Sequence, residues 1–359
     1  MKKELEKIID NISFDAIVLY RLPYYTENHL IIGNSEKIYN GINENHLMSK
    51  GFVFEPFDNT VSYGLFINES YALTFDKLDK STKKLLTPHF EIDYSEPLIH
   101  IDNQESYKKH FKQMLDAIDQ GNIDKVILSR IIKGPELKNE QVFDLFEYLT
   151  DQYPHAFVYI IKTPEDGLWL GAGPELLLKH HEQKLSTVSL AGTVANSEES
   201  HWSDKEINEQ KLVTKFIENV LVHHQTDNIE YSETQTIPAG QIKHLCTTFN
   251  FEIQKVNGNH IGLLYDLHPT PAVCGLPKEE SFNVIKETEQ HDRRFYSGFL
   301  GPVDAGNYTF YVNIRCLNAI NNATLLYVGG GLTKDSEAEK EWNETELKAQ
   351  TLLSALKNI

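Results

Sequence analysis

Residues 307–359 read NYTFYVNIRCLNAINNATLLYVGGGLTKDSEAEKEWNETELKAQTLLSALKNI. The runs NYTFYVNIRCL (307–317) and ATLLYVGGG (323–331) are rich in aromatic and β-branched residues and predict two strands. Alternation along the first puts Phe310, Val312 and Ile314 on one face and Tyr311, Asn313 and Arg315 on the other. A long helix follows from near Ser336, anchored by Trp342, Ala349, Leu352, Leu353 and Leu356. Toward the N-terminus the same reading predicts helices from about Lys278 to Tyr296 and from about Asp204 to His223. GLWLGAG, HAFVYIIKT and KVILSRII predict strands, and QESYKKHFKQMLDAIDQ predicts a helix stopped by Gly121. Helices and strands interleave without a regular βαβα rhythm. That pattern favours an α+β, mixed architecture over a doubly wound parallel sheet.

Further out, residues 1–100 hold strand candidates such as GFVFEPF and SYGLFI but no motif that carries chemistry. No repeat, low-complexity tract or long Gly/Ser/Pro linker divides the chain, so one domain over 1–359 is expected. The formal charge is 34 − 52 = −18. Such an acidic surface opposes non-specific binding to nucleic acid or to an anionic membrane, though not a small anion held by local cations. Cys246, Cys274 and Cys316 form no even framework and no CxxC pair, which suits a reducing compartment. Acidic residues interrupt the N-terminal MKKELEKIIDNISFDAIVLYRL, leaving no signal-peptide core, and no apolar run approaches the ~20 residues that span a bilayer. A cytoplasmic protein is the expectation.

Several positions offer chemistry. Glu341, Glu344 and Lys348 share one face of the final helix, where an ordinary solvated Glu344–Lys348 ion pair is the simpler reading. Glu206 and Glu209 make the same offer on the earlier helix, and carboxylates facing one another from two helices suit Mg²⁺. Arg315 could clamp a carboxylate or lie at a solvent edge. Gly329, Gly330 and Gly331 let backbone N–H groups approach an anion, or they merely turn the chain. Lys125 begins an apolar strand, a setting that can make a lysine a base. Glu175 sits in a turn beside Gly173 and Pro174, where burial would make it a proton donor. His244 and His268 lack partners at zinc-ligand spacing.

Taken in order, these segments resemble the chorismate-utilising enzymes, a family that includes the isochorismate, anthranilate, aminodeoxychorismate and salicylate synthases. The resemblance rests on IDKVILSR, GAGPELLL, LAGT, SDKEINEQ, HLCTTF, LHPTPAVCGLPK, ETEQHDRRFYSG, NIRCLNA and VGGGLTKDSEAEKEWNETELKA, which cover about the last two-thirds of the chain. It implies one large chorismate-binding domain of two packed antiparallel sheets surrounded by helices, with residues 1–100 as the variable part. It implies Lys125 as the base that activates water and Glu175 as the acid that protonates the departing hydroxyl. Glu209 and Glu344 match Mg²⁺ ligands, with Glu341 close to the ion or its water. Arg315, Lys348 and the backbone at Gly329 and Gly330 match groups that hold the substrate carboxylates. Gly192 lines the same pocket and His244 lies near the ring. Within the family, HPTPA ending at Ala272 resembles the isochorismate synthases, and Ala191 stands where a lysine nucleophile would serve aminodeoxychorismate synthesis. No amidotransferase segment is present, and no such subunit is expected as an obligatory partner. Departures are small: Gln210 follows Glu209 where histidine is usual, GGGL replaces GAGI, and SGFLG replaces GGxxG.

Overall fold

The computed structural model describes residues 2–92, 100–197, 201–239, 242–252 and 259–359. Its strands form one continuous antiparallel ribbon. One end is Ile242–Glu252, bordered by Asp227–Tyr231 and Gln235–Ala239 on one side and by Lys184–Ala195 on the other. The ribbon continues through Leu176–His181, Asn307–Val312, Phe299–Asp304, Lys50–Glu55, Gly64–Phe75 and Asn28–Ile38. It then passes Ala16–Arg21, Phe157–Thr163, Gly167–Gly173, Cys316–Ile320, Ala323–Leu332 and Lys125–Gly134, and ends at the two-residue strand Gly275–Leu276.

Such a ribbon has two apolar faces, and it buries one by folding back on itself. Between the halves lies an aromatic seam in which Phe157 stacks on Tyr311 at 4.4 Å, Phe54 stacks on Phe295 at 3.8 Å, and Phe54 meets Trp169 edge-on at 5.9 Å. Two packed antiparallel layers were expected, and they are the two halves of this single network. The outer faces are covered by helices. Val142–Gln152 and Ala338–Lys357 close one side, and Asp204–His223 and His260–Leu267 close the other. Among the described residues no helix is long and apolar enough to cross a membrane, and all three cysteines are free.

Local rules explain the helix ends. Asn103 caps Gln104–Asp119 by accepting from the Glu105 and Ser106 N–H groups, and Gly121 leaves it at φ +83. Ser203 and Glu206 form a reciprocal capping box at the start of Asp204–His223. Glu206 therefore turns back to the chain, and Glu209 alone of that pair faces the cleft.

Two elements differ from the sequence reading. The helix begun at Lys278 ends at Thr288, not near Tyr296. Beyond it Glu289 turns inward and accepts from Arg293, which also donates to the carbonyls of Ile127 and Val273. These long-range partners outweigh the local helical pattern. The run 307–317 is likewise two strands, broken at Asn313–Arg315. Asn313 accepts from Tyr159 and donates to the Phe295 carbonyl, and Arg315 adopts φ +51. Arg315 owes its direction to this break and not to strand alternation.

Candidate active site

The cleft opens where Lys125–Gly134, Ala323–Leu332 and the final helix meet Lys184–Ala195 and Ile242–Glu252. It encloses about 720 Å³, including its mouth, and is lined by Glu175, Gly192, Glu209, His244, Ala272, Arg315, Gly329, Glu344 and Lys348 among others. That size and mixture of apolar and charged walls suit one small polar molecule.

Lys125 forms the floor. Its side chain is 1% exposed, and its Nζ lies 2.6 Å from Glu209 Oε1. Burial pushes the Glu209 carboxyl up, but Lys125 and the more distant Lys348 and Lys205 outweigh it and leave it below the ordinary range. Gly331 stands directly above. A side chain there would begin 3.0 Å from Lys125 Cε and 3.5 Å from Glu209 Oε1, so the absent Cβ makes room for the pair.

Glu175 leaves the turn after Gly167–Gly173 and is 3% exposed. Thr270, in the HPTPA segment, donates to Glu175 Oε1 at 2.9 Å. Burial drives this carboxyl upward, while Thr270 and the charges of Lys125, Arg315 and Lys348 hold it back, leaving it at about 7. A carboxyl so placed carries a proton near neutrality and can release it.

Arg315 and His244 are locked together. His244 Nδ1 lies 2.9 Å from the Gly192 carbonyl and must donate to it, so Nε2 keeps its lone pair and accepts from Arg315 Nη2 at 2.6 Å. Burial and the guanidinium push the imidazole down to about 3, which keeps it neutral. Arg315 itself is lowered to about 10 by burial and remains a cation. On the final helix Lys348 donates to the Gly329 carbonyl at 2.9 Å and pairs with Glu344 at 2.8 Å.

Two carboxylates at the cleft and one behind its wall are each opposed by a lysine: Glu209 by Lys125, Glu344 by Lys348 and Glu341 by Lys205, at 3.1 Å. Glu341 also accepts from Ser336, and its Oε2 is buried without a hydrogen-bond partner. Burial, with Glu344 beside it, raises its pKa. Carboxylate oxygens are the ligand type a hard divalent cation such as Mg²⁺ takes, and here each is held by a lysine, with the three not drawn within 4.8 Å of one another.

Of the positions singled out in the sequence, Glu175, Ala191, Gly192, Glu209, His244, Ala272, Arg315, Gly329, Gly331, Glu344 and Lys348 line the cleft, and Lys125 lies beneath it against Glu209 and Gly331. Gly330 does not face it. A Cβ there would meet Glu341 Oε2 at 3.4 Å and the Thr345 methyl at 3.8 Å, so this glycine packs on the final helix. Glu341 lies behind the wall on that side. Because successive strand residues alternate, Gly329 and Gly331 share the cleft face. Gly331, offered together with Gly329 and Gly330 as an anion-approaching glycine, does line the cleft, whereas Thr270 was missed, and nothing in the sequence announces the Thr270–Glu175 contact.

Folded as an antiparallel ribbon around a cleft lined by opposed cations and carboxylates, the chain has the form of an enzyme for a small molecule. Residues 66–357 match the family described as "Chorismate binding enzyme". The chain belongs to this family. It is 29% identical over 314 residues to isochorismate synthase EntC of Escherichia coli strain K12, covering 83% of this chain and 79% of that one. It is 28% identical over 323 residues to isochorismate synthase DhbC of Bacillus subtilis, covering 84% and 79%. The solved structure of DhbC from Bacillus anthracis superposes with a TM-score of 0.78 at 25% identity, covering 98% of this chain and 99% of that one. MenF from E. coli shares the fold, with a TM-score of 0.75 at 20% identity and coverage of 96% and 90%.

Proposed function

We propose that this protein is an isochorismate synthase, which isomerises chorismate reversibly by adding water at C2 and expelling the C4 hydroxyl. The observation that carries the reading is the buried Glu175, proton-bearing near neutrality, in the same cleft as Arg315 and as Glu209, to which Lys125 is paired. Lys125, in its neutral form at the moment of attack, removes a proton from water as the water oxygen bonds to C2. Both ring double bonds shift, C1=C2 becoming C1=C6 and C5=C6 becoming C4=C5, the C4–O bond breaks, and Glu175 gives its proton to the departing oxygen, which leaves as water. The proton gained by Lys125 and the one lost by Glu175 return through solvent. Arg315 and Lys348 hold substrate carboxylates. Neutral His244 fixes the guanidinium and exchanges no proton. Mg²⁺ held by Glu209 and Glu344, with Glu341 adjacent, would supply positive charge beside a substrate carboxylate. Each proton transfer contributes ~10²–10⁴-fold.

Small side chains at Ala191 and Ala272 support this sub-type, since neither offers a nucleophile or an extra hydroxyl to the ring. The relatives' names point to menaquinone or siderophore synthesis as the use of the product. The test is chromatography of the protein incubated with chorismate and Mg²⁺, with and without ammonium, beside an EDTA control. An equilibrium mixture of chorismate and isochorismate that needs the metal and ignores ammonium is expected. Salicylate with pyruvate, or an aminated ring, would replace the sub-type by another chorismate enzyme. Metal-dependent binding without turnover would point to a non-catalytic binding protein, and near-wild-type turnover by Lys125→Ala would remove the base assignment.

A further inference from the structure

A second set of metal-ligating side chains stands away from the cleft. Among the described residues, the imidazoles of His223 and His224 and the carboxylate of Asp266 offer three ligand atoms within 4.8 Å of one another. They come from two elements. His223 is the last residue of Asp204–His223, His224 caps that helix, and Asp266 lies in the last turn of His260–Leu267.

Consecutive residues inside a helix project about 100° apart and rarely serve one ion. Here the helix ends between the two histidines, and the rings come together, with centroids 5.3 Å apart and planes at 86°. His224 Nε2 already lies 2.7 Å from Asp266 Oδ2, a charge-assisted contact when the ring is protonated. A metal ion can take the place of that proton between the same two atoms.

The surroundings favour a cation. Two helix C-termini meet at this spot, and the carbonyl dipoles of each give it partial negative charge. One is partly served by Lys278, whose Nζ donates to the carbonyls of Tyr265 at 2.7 Å and Asp266 at 3.3 Å. This ammonium works against a second cation, but it engages main-chain oxygens and leaves the Asp266 side chain to His224. The donor set also selects the kind of ion. Two imidazole nitrogens and one carboxylate suit zinc or nickel, whereas Mg²⁺ takes oxygen ligands and keeps its water.

We propose that His223, His224 and Asp266 form a surface site for one borderline transition-metal ion of the zinc or nickel class, with water completing its shell. The site is chemically distinct from the lysine-paired carboxylates of the cleft. An ion there ties the helix that carries Glu209 to the helix that leads into Thr270 and Ala272, so it acts as a clip behind the catalytic wall. The proposal does not depend on which chorismate reaction the cleft performs.

The test is isothermal titration of the untagged protein with Zn²⁺, and separately with Ni²⁺, in saturating Mg²⁺. One equivalent should bind, with affinity reduced about tenfold or more in His223→Ala and in His224→Ala. The melting temperature should rise with Zn²⁺ in the wild type and not in His224→Ala. Since none of the three residues lines the cleft, turnover in Mg²⁺ alone should be unchanged. His224→Gln, which keeps a polar partner for Asp266, guards against a packing effect and should bind as poorly as the alanine variant. Zn²⁺ binding of equal strength in wild type and all variants would overturn the site and place the ion elsewhere. A wild-type titration indistinguishable from that of the double alanine variant would also overturn it.

Discussion

At Glu175, burial and a single hydroxyl pull in opposite directions. Thr270 favours the ionised form, so Thr270→Val should raise the carboxyl from about 7. Glu175 acts as an acid, so activity is retained while it is protonated and falls as pH rises through its pKa. A pH–rate profile should therefore decline above about 7 in the wild type. In Thr270→Val the decline should move to higher pH by roughly one unit, and Thr270→Ser should restore the original profile. Glu175→Gln should lower kcat by ~10²–10⁴-fold at constant fold, checked by circular dichroism. Much of this site was legible in the sequence because its charges sit in recognisable strings. Lys125, Glu175, Glu209 and Arg315 were each singled out. What remained hidden was direction. Spacing could not separate Glu206 from Glu209, because a capping box and a metal ligand use the same residue type at the same interval. Gly330 and Gly331 could not be told apart without knowing which strand face the cleft occupies.

Among the elements, the stretch after Thr288 shows how tertiary partners override a local pattern. Its sequence continues a plausible helix, yet the side chains of Glu289 and Arg293 are each only 3% exposed and bind each other through two hydrogen bonds. Arg293 also holds the carbonyls of Ile127 and Val273, both on cleft-lining residues, so this ion pair joins two walls of the site. Removing one partner leaves the other charge buried and unpaired. Glu289→Ala should cost about 3–5 kcal/mol of stability, measured by urea denaturation. Helix Ala338–Lys357 is secured in a similar way. Arg130 donates to Thr345, pairs with Glu346, and lies 3.6 Å above the Trp342 ring. The helix was readable from its periodicity. Its anchor, more than two hundred residues earlier, was not.

Over the whole molecule, the antiparallel ribbon makes neighbours of segments far apart in the chain. Cys316–Ile320 inserts beside Gly167–Gly173, and Phe299–Asp304 beside Lys50–Glu55. The two layers share one aromatic seam, so they should lose their packing together. Phe54→Ala removes a ring that touches Tyr159, Trp169 and Phe295. It should destabilise the fold by about 3–5 kcal/mol, and fluorescence and circular dichroism should report one coincident unfolding transition. The mixed class was legible because strand-like and helix-like patterns alternate irregularly. The order of strands was not, since pairing depends on contacts that no local pattern encodes.

An open ribbon has two ends, and unpaired strand edges are where other chains can add themselves. At one end the border strand Gln235–Ala239 contains the exposed Pro238, which has no N–H to offer, and its companion Asp227–Tyr231 carries Asp227 and Glu230. At the other end the last strand is only Gly275–Leu276, followed at once by Pro277. Proline, carboxylates and brevity make both margins poor templates for recruitment. A sheet of this size is thereby guarded against sticking to its own copies at high concentration.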